Sequence, residues 1–541
     1  MTAPLFSVVT PVYNPPIDML RQMVESVRRQ AFRDWEFILV DDVSPDPRVL
    51  EALRGFAAED DRIVVVTRES NGGISAASND GVAAATGRFL VLLDHDDLLG
   101  HGALAQVAQA IAADDRIDYV YTDEDKVDLD GYHYDVFKKP DWSPERLRSH
   151  MYLGHLSVMR LDLVRAVGGF DSTYDGSQDH DLALKVTERA RVVHHIPEVL
   201  YHWRALPEST ASSSGAKPYT WDAGVRAVDA HLQRVGIDAT AERGDWPNTA
   251  RVRRALDPAT SVSVIIPTRG SSGVIDDVER VFVIGAVRSV LEHAGDVDLE
   301  IVVVYDLTTP ATVLDLLREI AGDRLTLVPF DRPFNYGEKC NVGFVESRGE
   351  MIVLLNDDVE VISDDFLVEL VAPLLQADVG MTGAQLVYED GLIQHAGHRY
   401  ANRGFSHPLT AYRFGDSAPH AALKIDREVS GVTAACAALR RDTYARVGGV
   451  TESLPLNFND VDLSLKVRSL GLRILYLARV HLYHYESKTR IAIVHEWELR
   501  TVRARWGVIY RDPYLPEHPD DAYHPYASRR SRSRSWTPDS A

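Results

Sequence analysis

The chain has 541 residues, more than one hydrophobic core usually serves, and its 45% hydrophobic and 26% charged residues exclude a disordered or fibrous protein. With 58 basic against 80 acidic residues, a net charge of −22, it lacks the cationic surface that phosphate-backbone recognition needs, so nucleic acid is not an expected partner. Two cysteines, Cys340 and Cys436, make neither a disulfide framework nor a metal-ligand spacing, which points to a reducing cytoplasm. No apolar run reaches the roughly 18 residues of a membrane span.

The first half alternates β-rich apolar runs with helical patterns. A strand is predicted in "FSVVTPVYN", a helix near Ile17 to Gln30, a strand in "EFILVDD", a helix after "NGGIS", and a strand in "RFLVLLDHDD". This alternation predicts an α/β fold with a mostly parallel sheet and crossover helices. In such sheets ligands bind beyond the carboxyl ends of the strands, so "TPVYN", "VDD" and "DHDD" should converge on one crevice.

A linker is expected at 246–260, between a first domain over 1–245 and a second over 261–510. The second begins at "SVSVIIPTRG" and repeats the pattern through "EIVVVYD" and "MIVLLNDD". Asn79 answers Asn341, Gly81 answers Gly343, Gly87 answers Gly349 and Asp96 answers Asp358, each pair 262 apart (358 − 96 = 262). Further on, "VGGFD" matches "VGGVT", "QDHDLALKV" matches "NDVDLSLKV" and "LYHWR" matches "LYHYE". The chain is therefore read as an internal duplication of a whole domain, a far longer unit than a solenoid repeat. The tail over 511–541 ends with Arg529, Arg530, Arg532 and Arg534 among serines, which suits either a solvated end or a peripheral contact with anionic lipid of the inner membrane.

The doubled acidic strand end is the strongest chemical signal. Carboxylates crowded at the end of a buried strand repel one another and require a cation or strong hydrogen-bond donors; oxygen ligands suit Mg2+ or Mn2+ bridging to substrate phosphates. A capping role for Asp97 on the following helix is the plain alternative. A general base must then stand within reach of the attacking group, and Asp179 in "QDHDL" and Asp460 in "NDVDL" offer one in each half; each could also cap its helix. His202 and His484 follow their aspartates by 23 (202 − 179) and 24 (484 − 460) residues, and suit a metal or phosphate role as well as a structural one. Trp142 and Trp203 fit either sugar stacking or a core.

These motifs together resemble the family 2 glycosyltransferases, over about residues 5 to 235 and again about 260 to 490. The resemblance implies two tandem GT-A domains, a Rossmann-like α/β fold, and transfer with inversion from a nucleotide-diphospho-sugar, UDP- or dTDP-linked. It implies nucleotide-sugar contacts from Pro11, Tyr13, Asp41, Asp42, Asn79, Asp94 and His95 in the first half, and from Thr268, Asp306, Asn341, Asn356 and Asp357 in the second. Asp94, Asp96 and His202 would hold the metal in the first site, Asp358 and His484 in the second, with Asp179 and Asp460 as catalytic bases. "YTDEDKVD", "YLGHLSVMR", "FNYGEKCN" and "DGLIQHAGH" are similar to bacterial two-domain enzymes of O-antigen and surface polysaccharide assembly, which implies a growing glycan acceptor, polyprenyl-linked forms included. The processive signature Gln-x-x-Arg-Trp is absent.

The second half departs from the pattern at Tyr305 and Asn356, each in place of an aspartate. The reading is therefore a bifunctional transferase. Its rivals are one active domain beside a degenerate acceptor-binding one, or a non-catalytic carbohydrate-binding protein. A sugar-nucleotide pyrophosphorylase would need a glycine-rich turn after the first strand, and neither "TPVYNPP" nor "IPTRGSS" supplies it.

Overall fold

The computed structural model describes residues 3–204, 218–275, 277–402, 404–485 and 495–515. The chain divides into two compact units, 1–252 and 253–541.

In the first unit the strands are β1 (Phe6–Val12), β2 (Trp35–Asp41), β3 (Ile63–Thr67), β4 (Phe89–Leu92), β5 (Leu98–Leu99), β6 (Ile117–Val127), β7 (His133–Phe137), β8 (Ser157–Arg160) and β9 (Val192–Arg204). They form one sheet in the order β3-β2-β1-β4-β8-β6-β9-β5, with β7 on β6. The first four are mutually parallel, β6 and β9 run the same way, and β5, β7 and β8 run against them. The apolar runs seen in the sequence are the reason: β1 and β4 are buried on both faces, between two separate clusters of side chains.

Helix Gly73–Ala84 lies against β1, and the approach is close enough that a Cβ on Gly81 would stand 2.4 Å from Val9 Cγ1. In the second unit Gly343, in helix Tyr336–Glu346, meets Ile265 the same way at 2.5 Å. These glycines recur because the helix sits on the sheet without a side chain between.

The segment expected as a linker is partly ordered. A hairpin of β10 (Ala239–Arg243) and β11 (Ala250–Arg254) buries Ala250 and Val252 with the first unit's core, because alternation in "ARVRR" turns one face inward.

The second unit adds β12 (Ser261–Thr268), β13 (Ser272–Ile275), β14 (Val278–Val281), β15 (Asp298–Asp306), β16 (Leu325–Phe330), β17 (Met351–Leu355), β18 (Val359–Val361), β19 (Val379–Val387), β20 (Ile393–His395), β21 (Arg399–Ala401), β22 (Gly404–Ser406), β23 (Arg427–Glu428), β24 (Cys436–Arg440) and β25 (Arg473–His484). Its main sheet has the order β16-β15-β12-β17-β24-β19-β25-β18, with β20 on β19 and β23 on β25. Strand for strand this is the first sheet again, and the duplication is one of topology as well as motif.

The first residues of the segment assigned to the tail, 512–515, pack against the second unit. Asp512 is buried and accepts from the Tyr400 amide at 2.6 Å, and the Leu515 carbonyl accepts from Arg399 at 3.0 Å. The arginines at 529, 530, 532 and 534 lie outside the described residues.

Candidate active sites

In each unit the carboxyl ends of the parallel strands carry the predicted acidic residues. In the first, "DHDD" follows β4. The Asp97 carboxylate accepts from the Tyr201 hydroxyl and the Arg204 amide, both at 2.7 Å, and so ties the acidic loop to the end of β9. The helix after it is capped by Gly102, so Asp97 is a strap between strands, not a cap. Burial pushes its carboxyl well above the usual range, and Asp94 and Asp96 add to that. Asp96 is raised as well, by burial first and by Asp94 next, countered by His95. Asp94 is half exposed, and His155 Nε2 stands 3.5 Å from its Oδ2. His95 Nδ1 meets the Pro11 carbonyl at 3.2 Å, joining the ends of β4 and β1, and Tyr13 is exposed beside them.

The expected acidic pair divides its labour. Asp42 is buried, with its carboxylate on Arg68 at 2.6 Å and on the amides of Gly72 and Gly73 at 3.0 and 2.9 Å. It organises the turn into the helix. Asp41 accepts from the Ser44 amide at 3.2 Å.

Asn79 and Asn341, expected to contact the donor, each hold a stretch of backbone. The Asn79 amide clasps the backbone of Phe170, accepting from its N–H at 2.9 Å and donating to its carbonyl at 2.8 Å. Asn341 clasps Val450 in the same way at 3.0 and 2.9 Å. Both bind the helix to the "VGG" turn, where Gly169 and Gly449 leave no room for a Cβ.

Asp179 and Asp460 occupy matching places, each the second residue of a helix, Gln178–Thr187 and Asn459–Ser469. Each carboxylate folds onto the next amide, His180 or Val461, at 2.8 Å. The aspartates two residues on are buried struts: Asp181 pairs with Lys185 at 2.7 Å, and Asp462 is held by Thr451, Trp506 and Arg505. Beside Asp460 lies a histidine group, His395, His398 and His407. His398 Nε2 is 3.8 Å from Asp460, and burial pushes its ring down to about 3 and so keeps it neutral.

In the second unit Thr268 donates to Asp357 at 2.6 Å; burial and then Asp358 push the Asp357 carboxyl up to about 7. Asp306 forms an ion pair with Lys339 at 2.5 Å, and Lys339, fully buried, also donates to the Thr268 carbonyl at 2.6 Å. Sequence reasoning missed this lysine, which sits where the first half has Ala77 (339 − 77 = 262). Asn356 and Asp358 both lie 3.2 Å from His484 Nε2.

His202 does not share that arrangement. Leu99 pairs with Tyr201, whereas its repeat equivalent Val361 pairs with Leu482; Leu98 faces His202, whereas Glu360 faces Tyr483. Equivalent positions on β9 and β25 are thus 281 apart (482 − 201 = 281), not the 282 of the "LYH" match (484 − 202 = 282). A slip of one residue turns a side chain to the other face. His202 Nδ1 accordingly meets Asp125 at 2.6 Å, with His133 on the same carboxylate at 3.0 Å. Trp203 takes the place of His484 (484 − 203 = 281), with its ring edge-on to His155 at 5.6 Å. Trp142 is partly buried against the core.

Residues 7–168 match the model of Glycosyl transferase family 2, and residues 258–508 match that of Glycosyltransferase like family 2. The chain belongs to the family 2 glycosyltransferases, with a domain of that kind in each half. "Uncharacterized protein y4gI" of Sinorhizobium fredii is 42% identical over 494 residues, 90% of this chain and 54% of that protein. "O-antigen biosynthesis protein RfbC" of Myxococcus xanthus is 34% identical over 521 residues, 95% of this chain and 40% of that protein. "Chondroitin synthase" of Pasteurella multocida is 28% identical over 192 residues, 35% of this chain and 20% of that protein. The chain thus spans about half the length of the first two relatives. No helix among the described residues is long and apolar enough to cross a membrane.

Proposed function

We propose that each unit holds its own nucleotide-sugar site and transfers a sugar to a growing surface glycan, so that one chain makes two linkages. The observation that carries this reading is the recurrence, in both sheets, of an acidic strand end together with a helix-borne aspartate at the same helical position. Asp179 and Asp460 take the proton from an acceptor hydroxyl as it attacks the anomeric carbon, and a single displacement inverts configuration.

The residues fit a divalent cation, Mg2+ or Mn2+. In the second site Asp358 Oδ1 is buried with no hydrogen-bond partner among the described residues, 3.2 Å from the His484 ring. Asp94 and Asp96 in the first site, and Asp358 with His484 in the second, would hold the ion; when bound it neutralises charge on the departing diphosphate. Tyr13, exposed at the end of β1, offers a face for the base of a UDP- or dTDP-sugar. Kinship with the O-antigen protein supports a polyprenyl-linked glycan as acceptor.

The buried Asp306–Lys339 pair favours a second reading, in which the second unit binds acceptor without using a donor. The test is release of nucleoside diphosphate from UDP-, dTDP- and GDP-sugars with lipid-linked glycan supplied, with and without chelator, and NMR of the product's anomeric configuration. Inverted product and loss of turnover in chelator are expected; a retained configuration or chelator-resistant transfer would overturn the mechanism.

A further inference from the structure

We infer that the first site uses His155, from the loop ahead of β8, as a hydrogen-bond donor to the donor diphosphate. The inference rests on the reading of Asp94 and Asp96 as a donor site.

The two positions are reciprocal. Val91 pairs with Val158 and Val353 with Ala438, so equivalents here are 280 apart (438 − 158 = 280) and His155 corresponds to Ala435. The first site therefore has His155 and Trp203 where the second has Ala435 and His484. Each acidic loop has one imidazole against it, delivered from a different strand: His155 3.5 Å from Asp94, His484 3.2 Å from Asp358. In the first site Trp203 packs edge-on to His155, with ring centroids 5.6 Å apart.

The partners of the other ring nitrogen set the proton's place. His155 stacks on Tyr201, with ring centroids 4.6 Å apart, and its Nδ1 is buried with no hydrogen-bond partner among the described residues. A proton there would be an unsatisfied buried donor, so the neutral ring carries it on Nε2, facing Asp94. That makes Nε2 a donor, suited to a phosphate oxygen. His484 differs in having neighbours at both ring nitrogens, Gln394 Oε1 2.6 Å from Nδ1 and Asn356 Nδ2 and Asp358 Oδ1 each 3.2 Å from Nε2. His202, engaged with Asp125 and His133, has neither task.

Calorimetric titration of the full chain with UDP, dTDP and GDP in Mn2+ tests the assignment, in a D358N/H484A background that leaves only the first site. His155→Ala should weaken nucleotide binding about tenfold or more, the size of one hydrogen bond to a charged group. His155→Gln, which keeps an N–H donor, should recover part of it, and His202→Ala should change affinity less than about twofold. Electron spin echo spectroscopy of bound Mn2+ should show nitrogen coupling in the parent chain that vanishes with His484→Ala and survives His155→Ala. An equal loss in His202→Ala, or nitrogen coupling that persists without His484 and disappears with His155→Ala, would overturn the inference while the donor site stands. If no nucleotide binds, or Asp94→Asn leaves binding unchanged, the donor-site reading itself fails.

Discussion

Replacing Lys339 by methionine would expose what holds the second site's strand ends together. The ammonium lies between the carboxylate of Asp306 at 2.5 Å and the carbonyl of Thr268 at 2.6 Å, with no exposed surface of its own. Breaking a buried pair by removing one partner costs about 3–5 kcal/mol, because the other charge is left desolvated. Asp306 is 18% exposed and has Arg269 at 3.8 Å, so the cost here falls to about 2–4 kcal/mol. For a unit of this size that lowers the melting temperature by about 5–10 °C, read by calorimetry of the full chain. Adding Asp306→Asn to Lys339→Met removes the orphaned charge and should restore half or more of the loss. A single variant that melts with the parent, or a double variant no better than the single, would refute the claim that the pair anchors the site.

Four further outcomes follow from other contacts. Asn79→Ala and Asn341→Ala each strand an N–H and a carbonyl, and should cost about 1–3 kcal/mol in urea denaturation, with nucleotide affinity of the folded protein unchanged. Gly81→Ala would press a methyl into Val9 at 2.4 Å and should cost about 1–3 kcal/mol by the same assay. Cys340 and Cys436 are buried, and burial pushes the Cys340 thiol up to about 12, so a thiol reagent should find neither in the native chain and both in denaturant. Burial pushes the Asp118 carboxyl up, but Arg191 and Arg160 together hold it well below its usual 3.8. The folded group stays charged where the unfolded one protonates, so stability present above pH about 4 is lost as pH falls further; Asp118→Asn should be less stable at neutral pH and flatter across that acid range.

The fold was largely legible. The alternation of apolar runs with helical patterns located β1, β2 and β4 and two of the helices but passed over β3 and the helix Pro47–Glu59, and the 262-residue spacing of Gly81 and Gly343 identified the duplicated sheet. The matching places of Asp179 and Asp460, each second in its helix, were legible because "QDHDL" and "NDVDL" each open a helical run. His202 lies against Asp125, not at the place of His484, because "LYH" repeats in letters but not in register, and the signal was present as a spacing of 23 in one half against 24 in the other. Asn79 and Asn341 were read as ligand contacts because the family resemblance implied it; the backbone each amide holds, at Phe170 and Val450, lies 91 and 109 residues on. Lys339 and His155 were invisible because their partners come from distant strands.

The central claim is that two sites work in one chain. It is tested most directly by sugar transfer to lipid-linked glycan from UDP- and dTDP-sugars, comparing the parent chain with Asp179→Asn and Asp460→Asn. The account predicts that each substitution abolishes one linkage and leaves the other. If Asp460→Asn leaves every linkage intact, the second unit is no transferase; if both variants transfer as the parent does, neither aspartate is a base.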